Sequence, residues 1–146
     1  MSAAQQSAIT ALLKLNPSQQ LFFSVIDYSD RIYSKTASKL VLELCALPKV
    51  LVAGIANPKP FFEFLEDENS DLLTFPDHHH FTQKDVDKIN ALSKNSIIIT
   101  TEKDYVRLKH CALHSPLYYL PIKSSFIENA KSFDTTIFKF AENFKV

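Results

Sequence analysis

Glycine is nearly absent: the chain of 146 residues has one, Gly54. Loops that cradle nucleotide phosphates use several glycines, because backbone must approach the phosphates closely and adopt positive φ. Neither G-x-x-x-x-G-K-[ST] nor G-x-G-x-x-G occurs, and one glycine builds neither. Standard phosphate-binding loops are therefore excluded. Net charge is lacking too, since 16 Lys and Arg balance 16 Asp and Glu, and no global basic field recommends a nucleic-acid partner. Cysteine stops at Cys45 and Cys111. Neither belongs to a C-x-x-C pair, so free thiols in a reducing compartment are expected rather than a disulfide framework. No apolar run approaches the ~20 residues that span a bilayer, and the first residues, Met1 to Gln6, lack the basic start and apolar block of a signal peptide. The expectation is a cytoplasmic chain, free to lie against a membrane but not to cross it.

What remains is ordinary globular material. Hydrophobic residues make up 46% and charged residues 22%, and the length suits one core. Ile9, Leu12 and Leu13 recur at helical spacing over residues 7–15, with Asn16-Pro17 as a stop. Leu21 to Tyr28 is rich in aromatic and β-branched residues and reads as a strand; after a turn at Ser29-Asp30, Arg31-Ile32-Tyr33 reads as its antiparallel partner. Residues 36–47 fit either period, with helix preferred. From Lys49 the pattern changes. Val50 to Ala53 is a buried strand ending at Gly54, and Asn57-Pro58 reads as an N-cap with proline at the first helical position. Strands at residues 71–75, 96–100 and 117–122 alternate with helices opened by Thr82 with Asp85 and by Thr101 with Asp104, both capping-box variants. A last helix from about Asp134 aligns Phe133, Ile137, Phe140 and Phe144 in a stripe expected to be core; Lys131, Lys139 and Lys145 leave an interfacial role as the alternative.

Alternation from residue 50 to 122 argues for βαβ units. The expected fold is α/β, a small, mostly parallel, Rossmann-like sheet flanked by helices, with residues 1–48 as an N-terminal helix and hairpin-like connector outside the sheet and residues 49–146 as the α/β domain. In such sheets the working edge lies at the C-terminal strand ends. Three joins fall there: residues 54–58, 77–81 and 101–104.

The join Asp77-His78-His79-His80-Phe81 carries most chemistry. An imidazole of ordinary pKa exchanges protons near neutrality, and an adjacent carboxylate orients it. Three readings stay open: a polar loop capping helix ends, a catalytic His, or a metal site. In an extended segment His78 and His80 converge and His79 does not. Asn57 can offer its amide, and the 54–58 backbone its N–H groups, to an anion; the alternative is a plain turn. Lys103 in a first helical turn opposes the helix dipole and hints at an anionic partner; the alternative is a solvated lysine.

Taken in order, "VAGIANPKPFF", "FPDHHHFTQKDV", "IITTEKDYVRL" and "LYYLPI", preceded by "QQLFFSVIDYSD", resemble the C-terminal half of the tetraacyldisaccharide 4'-kinases, the lipid A 4'-kinases of Gram-negative bacteria. The resemblance implies transfer of the γ-phosphate of Mg-ATP to the 4'-hydroxyl of a membrane-borne acylated glucosamine disaccharide, at the cytoplasmic face of the inner membrane. It also implies that the P-loop and the catalytic aspartate lie in an N-terminal domain outside this chain, which would be a fragment inactive by itself, with ATP and Mg²⁺ bound mainly by that domain and no metal held here. By the same resemblance His78 faces that aspartate, Asp77 holds the imidazole, His79 and His80 are dispensable, and Asn57, Lys103 and Asp104 line the substrate cleft or support the His loop. The competing reading, from another class, is a non-catalytic α/β interaction module.

Overall fold

The computed structural model describes residues 1–143; Phe144 and Lys145, named above with the last helix, lie outside them. In chain order the elements are α1 (Ala3–Leu13), β1 (Ser24–Tyr28), β2 (Arg31–Tyr33), β3 (Ser38–Leu40), a 3₁₀ turn (Val41–Leu44), β4 (Lys49–Ala53), α2 (Lys59–Leu65), β5 (Ser70–Thr74), α3 (Gln83–Leu92), β6 (Ile97–Thr101), α4 (Glu102–Leu108), β7 (Leu117–Leu120), β8 (Ile122–Phe126) and α5 (Ala130–Glu142). Packing divides the chain into two compact units: residues Tyr28–Lys123, and residues 1–27 together with the segment from Ser124 onward.

The larger unit holds a six-stranded sheet of order β3-β2-β7-β6-β4-β5. β5, β4, β6 and β7 run parallel, while β2 is antiparallel to both β7 and β3. The expected α/β class and mostly parallel sheet are therefore present. β4 lies between two parallel neighbours and is buried from end to end. Because side chains alternate across a sheet, Leu51 and Ala53 join a cluster with Ile32, Phe61, Leu65 and Ile99, whereas Val50 and Val52 join Leu73, Ile89, Ile98 and Leu108 on the other face. Each such burial contributes about 1.5–3 kcal/mol, which is why the continuous apolar runs at 50–53 and 97–99 become the centre of the sheet.

Lys49, the first residue of β4, is the exception to this apolar rule. Its side chain is fully buried, and Nζ donates to the Asp67 carboxylate at 2.6 Å and to the Leu44 carbonyl at 3.1 Å. The hydrogen bond from Lys49 holds the Asp67 carboxyl below its ordinary pKa.

The structure corrects the front of the chain. The hairpin is β2–β3, not β1–β2; it extends the main sheet instead of lying outside it, and β1 pairs with β8. Ile32 is completely buried and Tyr33 sits opposite Tyr119 on β7, so burial of this short apolar strand decides its place. Residues 36–47, expected to be helical, form β3 and a 3₁₀ turn. α1 starts earlier than expected because Ser2 and Gln5 form a capping box. β8 has no local signal: Lys123, Ser124 and Ser125 carry no strand-like pattern, and their pairing is decided by β1.

In the smaller unit Phe133 of α5 packs on Phe22 and Phe126, with ring centroids 5.2 and 4.6 Å away. The other described residues of the stripe, Ile137 and Phe140, are not core. Ile137 and Phe140 are half or more exposed, as is the neighbouring Phe138, and α5 buries no residue fully. Two helices and a two-stranded ribbon supply too little surface to enclose it. Among the described residues no helix is long and apolar enough to cross a membrane.

Candidate functional site

Parallel pairing of β4 with β5 and β6 brings the three joins to one edge of the sheet. The first turn of α4 organises them. Thr101 caps this helix, accepting from the Asp104 N–H. Asp104 is itself fully buried. Its Oδ2 accepts from the Thr101 hydroxyl at 2.8 Å and from the Gly54 N–H at 2.8 Å. Its Oδ1 has no hydrogen-bond partner within the described residues, with Arg107 Nη1 at 3.8 Å. The only glycine is needed here for space and not for positive φ: a Cβ on Gly54 would lie 3.2 Å from Asp104 Oδ1 and 3.4 Å from the Pro76 carbonyl.

One residue earlier, Lys103 Nζ donates to Asp77 Oδ1 at 2.7 Å. Asp77 Oδ1 also accepts the His78 N–H at 2.9 Å, and Oδ2 lies 3.6 Å from His78 Nε2. The Lys103 hydrogen bond is the main cause that holds the Asp77 carboxyl below its ordinary pKa, against the opposing effect of desolvation; the His78 contacts add to it. The expected anionic partner of Lys103 is thus inside the chain. This loop is a turn, not an extended segment. His79 N–H reaches back to the Pro76 carbonyl at 3.2 Å, and His78 sits at φ 59°, a left-handed conformation uncommon outside glycine. The result is an imidazole standing outward, its side chain 74% exposed.

The three histidines do not converge. His79 is stacked on Phe75 with centroids 4.9 Å apart, meets Phe81 edge-on, and places Nε2 2.9 Å from Asp85 Oδ2. Asp85 also accepts from the Thr82 N–H and hydroxyl. These Thr82 bonds first, and His79 next, lower its carboxyl to about 2. His79 is therefore a structural wedge at the start of α3, and His80 is exposed. Among the described residues no group of three or more His, Cys, Asp or Glu side chains is placed to hold a metal.

Asn57 departs from expectation. The first i→i−4 bond of α2 runs from Phe62 N–H to the Pro58 carbonyl, so the cap is Pro58, with no side-chain bond, and Asn57 is left exposed. Sequence reasoning also missed Arg107, whose Nη1 donates to the His79 carbonyl at 3.3 Å and so braces the His loop from α4. Its position, three residues after Asp104 and four after Lys103, was the available signal. A cavity of about 710 Å³ lies away from all of this, beside residues 34–37 and the segment between α4 and β7.

A family model described as Tetraacyldisaccharide-1-P 4'-kinase matches residues 2–142. The chain belongs to this family. It is 51% identical over 140 residues to the tetraacyldisaccharide 4'-kinase of Flavobacterium johnsoniae, covering 96% of this chain and 41% of that protein. It is 45% identical over 141 residues to that of Flavobacterium psychrophilum, with the same coverage of 96% and 41%. The enzyme of Bacteroides thetaiotaomicron is 35% identical over 143 residues, covering 83% of this chain and 38% of that protein. The chain thus spans about 41% of the length of the first two relatives. No solved structure matches it. The family match encloses all three joins and the Asp77–His78–Lys103 group.

Proposed function

We propose that this chain forms part of an ATP-dependent kinase that phosphorylates the 4'-hydroxyl of a tetraacylated glucosamine disaccharide 1-phosphate, and that it contributes His78 to the active site. The observation that carries the reading is the outward imidazole of His78 beside an Asp77 carboxylate already anchored by Lys103 at 2.7 Å, within a family match over residues 2–142. Asp77 orients the ring through Oδ2 while Lys103 keeps it ionised. An imidazole held this way hydrogen-bonds a carboxylate or hydroxyl presented from outside the chain, and so tunes the group that accepts the proton of the attacking hydroxyl.

The residues present do not fit the nucleotide phosphates or their Mg²⁺. The one glycine join is filled by the Asp104 carboxylate and the Pro76 carbonyl, and oxygens of that kind repel phosphate where a cradle would offer N–H donors. We assign ATP and Mg²⁺ to a P-loop domain in the remaining length of the enzyme. That domain is the main partner of this chain, which by itself is inactive. Asn57, exposed at the mouth of the β4 join, is retained as a substrate-cleft residue, whereas Lys103 and Asp104 act by supporting the His loop and its neighbour. The acylated substrate is membrane-borne, so the enzyme works peripherally at the cytoplasmic face of the inner membrane.

The test is a phosphoryl-transfer assay on the purified chain alone and on the enzyme that contains it. Turnover by the chain alone would overturn the assignment of ATP to the other domain. Undiminished turnover by a His78→Ala enzyme would overturn the role of His78.

A further inference from the structure

We propose that a second cavity on the same sheet edge is a subsite for a sugar ring bearing neighbouring hydroxyls. The cavity, about 610 Å³, is lined by Tyr28, Tyr33, Tyr119, Asp30, Glu102 and Lys123 among others, and its volume falls in the range of about 300–1,000 Å³ usual for small-molecule sites. It lies where β2 begins and β7 ends, beside the start of α4.

Its aromatic wall is fixed in place. Tyr28 stacks on Phe64 with centroids 4.7 Å apart, and Tyr119 is held between Tyr33 at 6.0 Å and Tyr105 at 4.7 Å. Its polar groups are uncommitted. Within the described residues no hydrogen bond or ion pair engages the hydroxyls of Tyr28, Tyr33 and Tyr119, the carboxylates of Asp30 and Glu102, or the ammonium of Lys123. The Asp77 loop is the opposite case, because there Asp77, Lys103 and Asp85 are all engaged.

Flat aromatic faces pack against the C–H face of a sugar ring. Free carboxylates accept charge-assisted hydrogen bonds from its hydroxyls. Two carboxylates against one ammonium disfavour a phosphate at this spot, and the polar rim disfavours an acyl chain. The chemistry that remains is a neutral ring with hydroxyl edges. Glu102 faces this cavity from the turn on which Lys103 holds Asp77, so a bound ring is carried by the same helical turn that positions the His78 loop.

The source of the ring rests on the kinase reading: the glucosamine acceptor or the ribose of the nucleotide. The experiment is an amide chemical-shift titration of the full nitrogen-labelled chain with N,N'-diacetylchitobiose, with adenosine, and with inorganic phosphate. Saturable shifts from chitobiose at residues 28–33, 102 and 119–123 are expected, with none from phosphate. Glu102→Gln, at an exposed side chain that makes no hydrogen bond among the described residues, should weaken binding about tenfold, while Lys88→Ala on α3 should not change it. The same shifts from adenosine and none from chitobiose keep the sugar subsite and assign it to ribose. Shifts from phosphate, no shifts from either sugar compound, or unaltered affinity in both Glu102→Gln and Asp30→Asn overturn it. The titration involves no phosphoryl transfer, so its failure leaves the His78 assay standing, and an inactive kinase leaves a positive titration standing.

Discussion

Asp104 Oδ2 accepts the backbone N–H of Gly54 at 2.8 Å, across a separation of 50 residues. One buried carboxylate therefore ties the end of β4 to the first turn of α4, while its neighbour Lys103 ties that turn to the loop after β5. Consecutive residues of α4 hold both of the other joins.

This tie predicts a stability loss. Asp104→Ala leaves the Gly54 N–H buried without a partner, which costs about 1–3 kcal/mol. Gly54→Ala forces a methyl against Asp104 Oδ1 and the Pro76 carbonyl and should cost about 1–3 kcal/mol by overpacking. Urea denaturation of both variants checks this; a Gly54→Ala chain as stable as the parent would mean that the join relaxes freely.

Asp85 makes the chain acid-sensitive. Its folded pKa is lowered from 3.8 to about 2 by the Thr82 bonds first and His79 next. A depressed carboxyl contributes stability that is fully present above its unfolded pKa and is lost as pH falls through the folded value. The loss should therefore run from about pH 4 down to about pH 2, as the two pKa values set it. Asp85→Asn should lower stability at neutral pH and flatten the acid limb, read by denaturation midpoints across that window. A parallel acid limb in the variant would assign the sensitivity elsewhere.

His78 separates function from stability. The side chain is 74% exposed and its one ion pair among the described residues is with Asp77, so in the complete enzyme His78→Ala should lower kcat about 10²–10⁴-fold with little change in Tm. His78→Gly should lose the same activity while stability holds or rises by up to about 1 kcal/mol, since glycine adopts the left-handed backbone without strain. An active His78→Gly enzyme would show that the loop shape, not the imidazole, matters.

Lys103 should act through Asp77. Its hydrogen bond is the main cause of the depressed Asp77 carboxyl, so Lys103→Ala raises that pKa toward the ordinary carboxylate value. Asp77 then loses its charge at a higher pH as the solution is acidified. The acid limb of kcat should move to higher pH, and the pH–rate profile of the variant enzyme measures it. An unmoved limb would detach Lys103 from the site.

Lys49 tests the far end of β4. Lys49→Met keeps the buried stem but removes the bonds to Asp67 and the Leu44 carbonyl, with an expected loss of about 1–3 kcal/mol. Because pairing with Lys49 is what lowers the Asp67 carboxyl, the variant should also lose less stability than the parent on acidification. Matched denaturation curves near neutrality and in acid decide both points.

The sequence by itself determined the parallel centre of the sheet. Apolar runs at 50–53 and 97–99, closed by Gly54 and by the Thr101 cap, carry their own periods and caps, so local chemistry suffices. It also determined that the Asp77 loop, Lys103 and Asp104 fall at one strand edge, because parallel strands with helical crossovers leave their C-terminal ends together. Only the tertiary structure decided the rest. β2–β3 joined the sheet because Ile32 is buried in a core built from other elements, while Tyr33 pairs with Tyr119, far away in sequence. The histidines parted because Phe75, Phe81 and Asp85 claim His79 while a left-handed turn sends His78 outward. Side chains three in a row look equivalent in sequence; their roles are assigned by neighbours that arrive from other elements, and those contacts have no local signature.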